Sequence, residues 1–509
     1  MRNQGLGSWT ERRLRMSPQR DALWFEGVTV SHAELAHDVR RVADSLSGLG
    51  VARGDRVAWI SVNHPSGLET LYACGQLGAV WVPVNARFTA AEAQYVIEHS
   101  GAKAVVYGHE HAALAEELRI LLPGVESWIG VELDGSNGPS DTHDYGKLVQ
   151  CASPDYRDEP VTLDDACLIM YTSGTTGRPK GAVLTHGNMT WACLNQILSY
   201  DFAQNERTLA LGPLFHIGGL NGTVNPTLLR GGCVVMVRAF DSTEALNLIE
   251  QQRVTSFFAV PTMLDSLSAQ EGFRACDLTS LRTICAAGAP LPMSTLRTWT
   301  ERGITVQQAY GMTESAPAGT VLDAGDAIAN IGSAGQPQFF TDVKVVRPDG
   351  STAAPGEVGE VVLSGPNIMA GYWNDPERTA EVLVDGWYHS GDAGEFDDRG
   401  FLYIRDRYKD MIISGGENVY PAEVESAIRE HPDVLEAAVI GVTDPKWGEV
   451  GVAFVVSSAT SPDPEQLRHD LRSSLAGYKI PKVVRFVESL PKTATGKIRK
   501  PDLRNAYER

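Results

Sequence analysis

The sequence lacks the features that mark membrane-spanning, disulfide-linked and metal-cluster proteins. No uninterrupted apolar run reaches 18 residues, so we expect no segment to cross a membrane as a helix. The seven cysteines form no CxxC pair, which predicts reduced thiols in a cytoplasmic protein. The first thirty residues hold several arginines but no apolar core segment, so we expect no secretory signal.

The chain is also poor in positive charge. Its 44 Lys and Arg residues stand against 63 Asp and Glu residues, which gives a net charge of −19. This balance argues against nucleic acid or an anionic membrane as the main partner. At 509 residues the chain is too long for one hydrophobic core, so two or more domains are expected. The sequence gives no indication of an oligomeric state.

Short apolar runs alternate with amphipathic stretches over the first 310 residues, as in 56–107 and 188–308. Strands separated by helices predict parallel βαβ units, and we expect an α/β fold with two doubly wound layers. Residues 330–400 change to short strands and turns, which predict a small β-barrel. The remainder predicts a small, mobile α+β domain. We place the boundary at a charged run, with a large domain at 1–408 and a small one at 409–509.

A loop rich in glycine and hydroxyl groups interrupts two apolar runs, at 166–170 and 182–184. Glycines let backbone N–H groups surround an anion, while hydroxyls and a lysine add further donors, so the loop is suited to a polyphosphate. It does not have the spacing of the usual P-loop. A flexible linker is the alternative, but linkers rarely lie between two buried strands. The candidate phosphate-binding residues are Thr172, Ser173, Gly174, Thr175, Thr176, Gly177 and Lys180.

The whole loop closely resembles the signature of the adenylate-forming enzymes, which include acyl-CoA synthetases, peptide-synthetase adenylation domains and firefly luciferase. The resemblance implies that ATP and Mg2+ activate a carboxylic acid to an acyl-adenylate, with release of pyrophosphate. It also implies that coenzyme A accepts the acyl group. Overall the chain looks most like bacterial fatty acyl-CoA synthetases.

Three further stretches resemble nucleotide motifs of this family, although each alone is a weak string that a turn or chance would explain. The first implies an adenine contact, the second an adenine stack, an α-phosphate contact and a magnesium ligand, and the third a ribose contact. Thr313 and Glu314 of the second stretch are the candidate catalytic residues, and Glu314 is the candidate metal ligand. The residues are, in this order, Gly288, Ala289 and Pro290; Tyr310, Gly311, Thr313 and Glu314; and Asp392.

The C-terminal part carries the remaining family positions. Arg407 matches a ribose or phosphate contact, Lys409 the hinge between domains, and Lys497 the catalytic lysine of adenylation. A solvated charged loop and an exposed tail lysine are the alternatives. Asp406 stands where the family usually has glycine. The candidate coenzyme A contacts are Gly415, Gly416, Trp447, Tyr478 and Lys479, and for the last three ordinary packing or surface roles explain the residues equally well.

The candidate acyl pocket includes His216 and Gly218, and small apolar residues between 316 and 319 suggest an apolar cavity. His216 has an ordinary interior role as its alternative. No unpaired Asp or Lys is placed to bind an ammonium or a second carboxylate. We therefore expect a medium- or long-chain fatty acid, with an aromatic acid of the benzoate or cinnamate type as the close competitor. Two further alternatives are a separate carrier protein or amine as acceptor, and a relative that only binds a nucleotide.

Overall fold

The computed structural model describes residues 2–132, 142–156, 158–172, 179–289, 291–407, 410–414, 417–459, 462–475, 477–492 and 498–507. By its internal contacts the chain divides into two compact units. The first comprises residues 1–343 and 363–388, and the second comprises residues 344–362 and 389–509. These units do not coincide with the predicted boundary after residue 408, because residues 389–407 group with the C-terminal part. That boundary concerns a hinge and stays a prediction.

The first unit contains a nine-stranded sheet, which is parallel over its six central strands and antiparallel at both ends. Its core includes Phe257, Ile284, Leu264 and Trp299, all of which are fully buried. Parallel strands are buried on both faces, which explains why these runs are almost entirely apolar. The strands in sheet order are Gln336–Pro337, Thr320–Val321, Thr305–Tyr310, Thr283–Ala286, Ser256–Ala259, Arg207–Ala210, Cys233–Met236, Asp21–Phe25 and Val28–Ser31.

A second sheet of eight strands belongs to the same unit. It is parallel except for the hairpin Ala166–Thr172 and Lys180–Thr185 and a short strand beside that hairpin. The hairpin confirms that the glycine-rich loop joins two strands. The strands in sheet order are Gly371–Tyr372, Lys180–Thr185, Ala166–Thr172, Val80–Pro83, Arg56–Ile60, Ala102–Gly108, Ser127–Val131 and His143–Asp144.

Apolar periodicity predicts helices with one buried face between these strands, and helix His32–Gly48 buries Leu35, Val39, Val42 and Leu46. Helix His32–Gly48 begins with a capping box, in which Ser31 N donates to Glu34 Oε2 over 2.7 Å and Glu34 N donates to Ser31 Oγ over 3.2 Å. The other helices are Gly7–Met16, Pro65–Leu77, Ala90–Ser100, Ala112–Leu121, Tyr145–Cys151, His186–Ser199, Ile217–Gly219, Asn225–Arg230, Ser242–Gln251, Pro261–Ser268, Met293–Thr300 and Pro376–Val382. No helix of the described residues is long and apolar enough to cross a membrane.

Residues 217–230 form one continuous helical stretch whose middle differs from the sequence prediction. The sequence predicts an ordinary helix over 218–229, whereas Leu220–Val224 has π-helical hydrogen bonding between the two α-helical ends. A π-turn inserts an extra residue into the helix and changes the direction of the side chains that follow it. Asn221 and Asn225, both fully buried, lie at this turn.

Residues 342–407 form a five-stranded sheet with strands Asp342–Val346, Gly359–Ser364, Leu383–Val384, Trp387–Phe396 and Leu402–Arg407. The sequence predicts a small β-barrel in this region. In the described strands, Trp387–Phe396 pairs antiparallel with Leu383–Val384 and with Leu402–Arg407. Closure of this sheet into a barrel stays a prediction.

The C-terminal residues of the second unit form an α+β fold, as predicted. Ile412, Val424, Val439 and Val455 are fully buried in its core. The strands in sheet order are Glu417–Val419, Ile412–Ser414, Gly448–Ser457 and Val434–Asp444, and Val483–Phe486 also pairs with Gly448–Ser457. The helices are Pro421–Arg429, Pro464–Asp470 and Lys500–Tyr507. The structure thus confirms an α/β fold with a larger N-terminal part and a smaller α+β part.

A carboxyl group in helix Pro65–Leu77 makes the stability of the fold depend on pH. Tyr145 Oη donates a hydrogen bond to Glu69 Oε2 over 2.5 Å. Burial, aided by the charge of Asp38, raises the pKa of Glu69 from its ordinary value of 4.5 to about 7. The folded protein therefore holds a proton that the unfolded chain releases between pH 4.5 and 7, so the free energy of unfolding falls as the pH rises through this window.

We expect Glu69→Gln to remove this part of the pH dependence, because a neutral amide accepts the hydrogen bond of Tyr145 without a charge to bury. Chemical unfolding at several pH values measures the effect. The variant should exceed the wild type in stability by on the order of 3 kcal/mol at pH 8 and match it near pH 4.5. Glu98→Gln, at an exposed position on another helix, serves as the control. A constant difference between the Glu69 variant and the wild type from pH 4.5 to pH 8 would contradict the assignment.

Candidate active site

Four parallel strands of the nine-stranded sheet bring the predicted residues to one edge. The strands Arg207–Ala210, Ser256–Ala259, Thr283–Ala286 and Thr305–Tyr310 are neighbours in this order. Their carboxyl ends lead to the segments that carry His216, Val260, Gly288 and Glu314, respectively. Ligands of open α/β sheets bind at this edge, so the topology brings the predicted adenine and acid positions together.

Gly288 forms the turn after strand Thr283–Ala286. Its φ of +89° is a backbone conformation that residues with a side chain rarely adopt. A Cβ atom at this position would still lie 3.4 Å from Val260 Cγ1, so backbone conformation rather than space requires glycine here. Gly288 and Ala289 are both exposed at this turn, which suits contact with a flat base.

Strand Thr305–Tyr310 leads into the second predicted nucleotide motif. Thr313, Glu314 and Ser315 form a single 3-10 turn, and Ala316 follows with a φ of +54°. The carboxyl-bearing side chain of Glu314 is 6% exposed, and its backbone carbonyl accepts a hydrogen bond from Met369 N over 2.9 Å. The turn therefore holds a carboxylate inside the protein at the sheet edge.

The base of the glycine-rich loop is well defined at both of its strands. Thr172 and Lys180 lie opposite each other in the hairpin. Thr172 Oγ1 is buried and has no hydrogen-bond partner among the described residues. A hydroxyl in this setting can donate a hydrogen bond to a phosphate oxygen. The loop residues Ser173, Gly174, Thr175, Thr176 and Gly177 lie outside the described residues.

Tyr372 connects Lys180, on the hairpin, with Glu314, in the 3-10 turn. The sequence analysis did not identify Tyr372 as a site residue. Lys180 Nζ donates to Tyr372 Oη over 3.0 Å, and Tyr372 Oη donates to Glu314 Oε1 over 2.9 Å. Burial and the neighbouring Glu314 carboxylate raise the pKa of Tyr372, so its hydroxyl keeps the proton that it donates. A cation on one sheet is thereby joined to a carboxylate on the edge of the other.

No pattern in the sequence marks Tyr372 as a site residue. It lies on the two-residue strand Gly371–Tyr372, which pairs with the lysine-bearing strand of the hairpin at Val183 and Ala182. About 190 residues separate the two paired strands in the sequence, so residue spacing does not predict that they pair.

A recess of about 90 Å³ lies beside Lys180, on the side of the hairpin near helix Ala90–Ser100. Tyr95 Oη donates to the carbonyl oxygen of Pro179 over 3.2 Å. His99 Nδ1 is 2.8 Å from Tyr171 Oη, and the rings of Tyr95 and His99 stack at 5.3 Å. These aromatic side chains fix both ends of the glycine-rich loop to one helix.

The predicted acyl residues His216 and Gly218 lie at the start of the helical stretch 217–230. His216 is half-buried and its ring contacts Phe215 edge to face at 4.8 Å. A Cβ atom on Gly218 would lie 2.6 Å from Phe258 Cζ, so only glycine allows the helix to approach this ring so closely. Phe258 also packs against a cluster that contains Ala318, and the sequence analysis did not identify it. No motif in the sequence marks Phe258, because its contact with Gly218 comes from the packing of the helix.

Asp392 and Arg407 belong to the second unit. They are opposite each other in the antiparallel pair Trp387–Phe396 and Leu402–Arg407. Asp392 is 5% exposed, and its N–H donates to Ser390 Oγ over 3.0 Å. Glu360 accepts from Gly391 N over 3.0 Å and lies 2.8 Å from His389 Nδ1, which stabilises the turn before Asp392.

The predicted coenzyme A contacts that the structure describes lie on the surface of the second unit. Trp447 and Tyr478 are each 45% exposed. Lys446 Nζ lies 4.7 Å from the centre of the Trp447 ring, and Lys479 Nζ pairs with Glu423 Oε1 over 2.7 Å. The predicted contact of Lys479 with coenzyme A would therefore require this ion pair to break. Pro290, Lys409, Gly415, Gly416 and Lys497 lie outside the described residues, and their roles stay predictions.

The described residues contain no group of three or more His, Cys, Asp or Glu side chains arranged to hold a metal ion. Mg2+ does not require one, because it is usually bound by one or two carboxylates together with substrate phosphates. The buried Glu314 carboxylate offers oxygen ligands of this kind. The site thus fits a magnesium ion that arrives with a nucleotide.

Two family models match the chain. The model of the AMP-binding enzymes matches residues 10–373, and the model of their C-terminal domain matches residues 423–497. The chain belongs to the AMP-binding enzyme family, which confirms the resemblance seen in its glycine-rich loop.

Curated relatives and solved structures show which members of this family the chain is similar to. It is 48% identical to a feruloyl-CoA synthase of an Amycolatopsis species over the full length of both chains. It is 40% identical to the long-chain-fatty-acid–CoA ligase FadD13 of Mycobacterium tuberculosis, over 94% of this chain and 93% of that one. An O-succinylbenzoate–CoA synthetase of Bacillus subtilis, in complex with ATP and magnesium, superposes with a TM-score of 0.86 at 33% identity, over 98% and 99% of the two chains.

The chain is therefore an enzyme of the acyl-CoA synthetase class. ATP, Mg2+ and coenzyme A, the cofactors that the resemblance implies, are confirmed at the level of this class. The roles of individual site residues stay predictions.

We expect Tyr372→Phe to lower the rate of acid-dependent pyrophosphate release by about ten- to a hundredfold, because Lys180 and Glu314 each lose a hydrogen bond in a buried setting. The rate is measured over a range of Mg2+ and ATP concentrations. Tyr107→Phe, which loses a hydroxyl bond to Thr142 elsewhere in the unit, is the matched control. Equal rates for the two variants at every Mg2+ concentration would show that the link has no role in adenylation.

Proposed function

We propose that this enzyme is an aryl-CoA ligase that activates a phenylpropenoic acid such as ferulate and transfers its acyl group to coenzyme A. The observation that carries the proposal is the 48% identity to feruloyl-CoA synthase, which extends over both whole chains. The sequence analysis put a fatty acid first and an aromatic acid second. The fatty acid prediction is not confirmed, and the order of the relatives favours the aromatic acid.

The composition of the acyl region supports an uncharged acid chain. Segments 216–220 and 316–320 contain no Asp, Glu, Lys or Arg. A second carboxylate or an ammonium group on the substrate would therefore be buried there without a charged partner, which is costly. The ring of Phe258, packed against Gly218, offers a flat apolar wall for an aromatic acid.

In the proposed reaction a carboxylate oxygen of the acid attacks the α-phosphorus of ATP, and pyrophosphate leaves. The coenzyme A thiol then attacks the acyl carbon, forming the thioester and releasing AMP and a proton. Both reactants of the first step are anions, so the enzyme has to offset their repulsion and hold them in line. A carboxylate is ionised at neutral pH, so no general base is needed for this step.

Ten of the candidate residues have a part in the adenylation step of this scheme. Lys180 and Thr172 bind phosphate oxygens, Thr313 donates to the α-phosphate, and Lys497 contacts the acid carboxylate and the α-phosphate. Glu314 holds Mg2+, which supplies positive charge at the phosphates. Gly288, Ala289 and Tyr310 contact adenine, and Asp392 and Arg407 the ribose.

The second step requires a different arrangement of the C-terminal domain. Rotation about Lys409 would withdraw Lys497 and bring Gly415 and Gly416 to the pantetheine, so that two reactions share one site. A carrier protein in place of coenzyme A, and a cytoplasmic location, also stay predictions.

A panel of acids tests the proposal. Pyrophosphate release is measured with ferulate, cinnamate, benzoate, octanoate and palmitate, each with and without coenzyme A. We expect coenzyme A-dependent turnover with ferulate or cinnamate, at a kcat/KM at least about tenfold above that for either fatty acid. A preference for octanoate or palmitate would restore the fatty acid assignment. Turnover that ignores coenzyme A would indicate a carrier protein or an amine as acceptor.

We expect Gly218→Val to raise the KM for the preferred acid by about tenfold or more and to leave the KM for ATP within about twofold. The new side chain would force the Phe258 ring into the acyl pocket, because even a Cβ atom would lie 2.6 Å from that ring. Steady-state kinetics in each substrate measures the two constants. Gly272→Val is the control, since a Cβ atom there would meet nothing within 4 Å. An unchanged KM for the acid would place the acyl pocket elsewhere.

A further inference from the structure

The turn that carries Thr313 and Glu314 continues into a loop whose backbone carbonyls bond to buried side chains. Asn367 Nδ2 donates to the carbonyl oxygens of Ser315 and Ala318 over 2.9 and 3.2 Å. Asn221 Nδ2 donates to the carbonyl oxygen of Ala316 over 2.6 Å. Two asparagines from distant parts of the chain thus bind three carbonyls within four residues of loop.

Asn221 is held so that its amide nitrogen has to face the loop. It lies at the π-turn Leu220–Val224 and is fully buried. Its Oδ1 atom accepts from Asn225 Nδ2 and from Cys193 Sγ, each over 3.1 Å. Asn225 Oδ1 in turn accepts from Tyr72 Oη over 2.9 Å. With both acceptor positions of Oδ1 in use, Nδ2 is the group that remains for the Ala316 carbonyl.

Asn367 is held in the same way from the other side of the loop. It is fully buried, and its Oδ1 atom accepts from Thr341 Oγ1 over 2.8 Å. Thr341 Oγ1 also accepts from Asn195 Nδ2 over 3.0 Å, and Asn195 Oδ1 accepts from Phe340 N over 2.9 Å. Because such buried networks are costly when one member is left unpaired, each asparagine has one favoured orientation.

The loop between these two amides belongs both to the proposed phosphate and metal site and to the proposed acyl pocket. Its first residues are the predicted phosphate contact Thr313 and the predicted metal ligand Glu314. Its last residue, Ala318, packs in the cluster that includes Phe258. Asn221 lies one helical turn after Gly218, on the helical stretch that carries this predicted acyl residue.

We propose that Asn221 and Asn367 are positioning residues that clamp loop 313–318, so that the acid and the metal-bound phosphates meet at a fixed distance. The inference rests on the proposed adenylation. Neither side chain contacts a reactant in this role, and both act through the backbone carbonyls that they bind. Loss of either amide donor should loosen the loop and reduce adenylation while leaving the rest of the unit folded.

The variants Asn221→Ser and Asn367→Ser remove one amide each, and Asn3→Ser is the matched control. Asn3 is also fully buried, and its Nδ2 donates to the carbonyl oxygen of Gly75 over 2.9 Å, far from the loop in sequence. Thr341→Val is a milder variant that removes the hydroxyl orienting Asn367 and adds no polar group. If a serine variant does not fold, Thr341→Val is used in its place to test the clamp.

The first measurement is amide hydrogen exchange in segment 311–320, which needs no substrate. We expect exchange to rise by about tenfold or more in both loop variants and to stay at the wild-type rate in Asn3→Ser. The second is pyrophosphate release, where we expect kcat/KM for the preferred acid to fall by about tenfold or more in the loop variants alone.

The two measurements separate the clamp from the proposed function. Unchanged exchange in the loop variants would overturn the clamp, whichever acid the enzyme uses. Faster exchange with kcat/KM within about twofold of the Asn3→Ser value would also overturn it, because the loop would then be loose without consequence. A protein that turns over no acid on the panel while its loop responds as expected would leave the clamp standing and remove the proposed substrate.

Discussion

The arrangement of the site depends on the two hydrogen bonds made by the hydroxyl group of Tyr372. It accepts from Lys180 Nζ and donates to Glu314 Oε1, and so joins the hairpin of one sheet to the carboxyl edge of the other. A lysine and a glutamate left to themselves in a buried site would form an ion pair. The intervening tyrosine instead holds the two charges apart, while each keeps a hydrogen-bond partner. The space for a nucleotide with its metal ion requires this separation, because an ion pair would offer the nucleotide neither charge.

The fold follows from the sequence to a large extent because its signals are local. Apolar runs such as 56–60 and 256–259 are too short for helices and are separated by amphipathic stretches, so the βαβ order could be predicted. The capping box at Ser31 and Glu34 fixes a helix start in the same local way. The π-turn at Leu220–Val224 could not be predicted, because its cause is tertiary: the buried amides of Asn221 and Asn225 find their partners in helices and loops remote in sequence.

The residues of the site also divide into those with a local signal in the sequence and those without one. Thr172, Lys180, Gly288 and Glu314 lie in contiguous motifs whose chemistry is visible in the sequence, and the structure brings these four residues into one unit. Tyr372, Phe258, Asn221 and Asn367 carry no motif. Each acts through a partner 40 to 200 residues away, and such pairings come from sheet order and helix packing rather than from spacing. The substrate could not be predicted either, because the acyl region consists of small apolar residues that suit aliphatic and aromatic acids alike.

In the proposed reaction the six residues from Thr313 to Ala318 serve the nucleotide and the acid at once, which would limit how such an enzyme diverges. An insertion or deletion in this loop would move the predicted metal ligand together with the predicted wall of the acid pocket, so a new substrate gained in this way would come with lost catalysis. Replacement of a side chain on a neighbouring element, such as Phe258 or Gly218, changes the pocket and leaves the backbone of the loop in place. We therefore expect natural and engineered changes of substrate to accumulate on the strand and helix around the loop, and the length of the loop itself to stay constant.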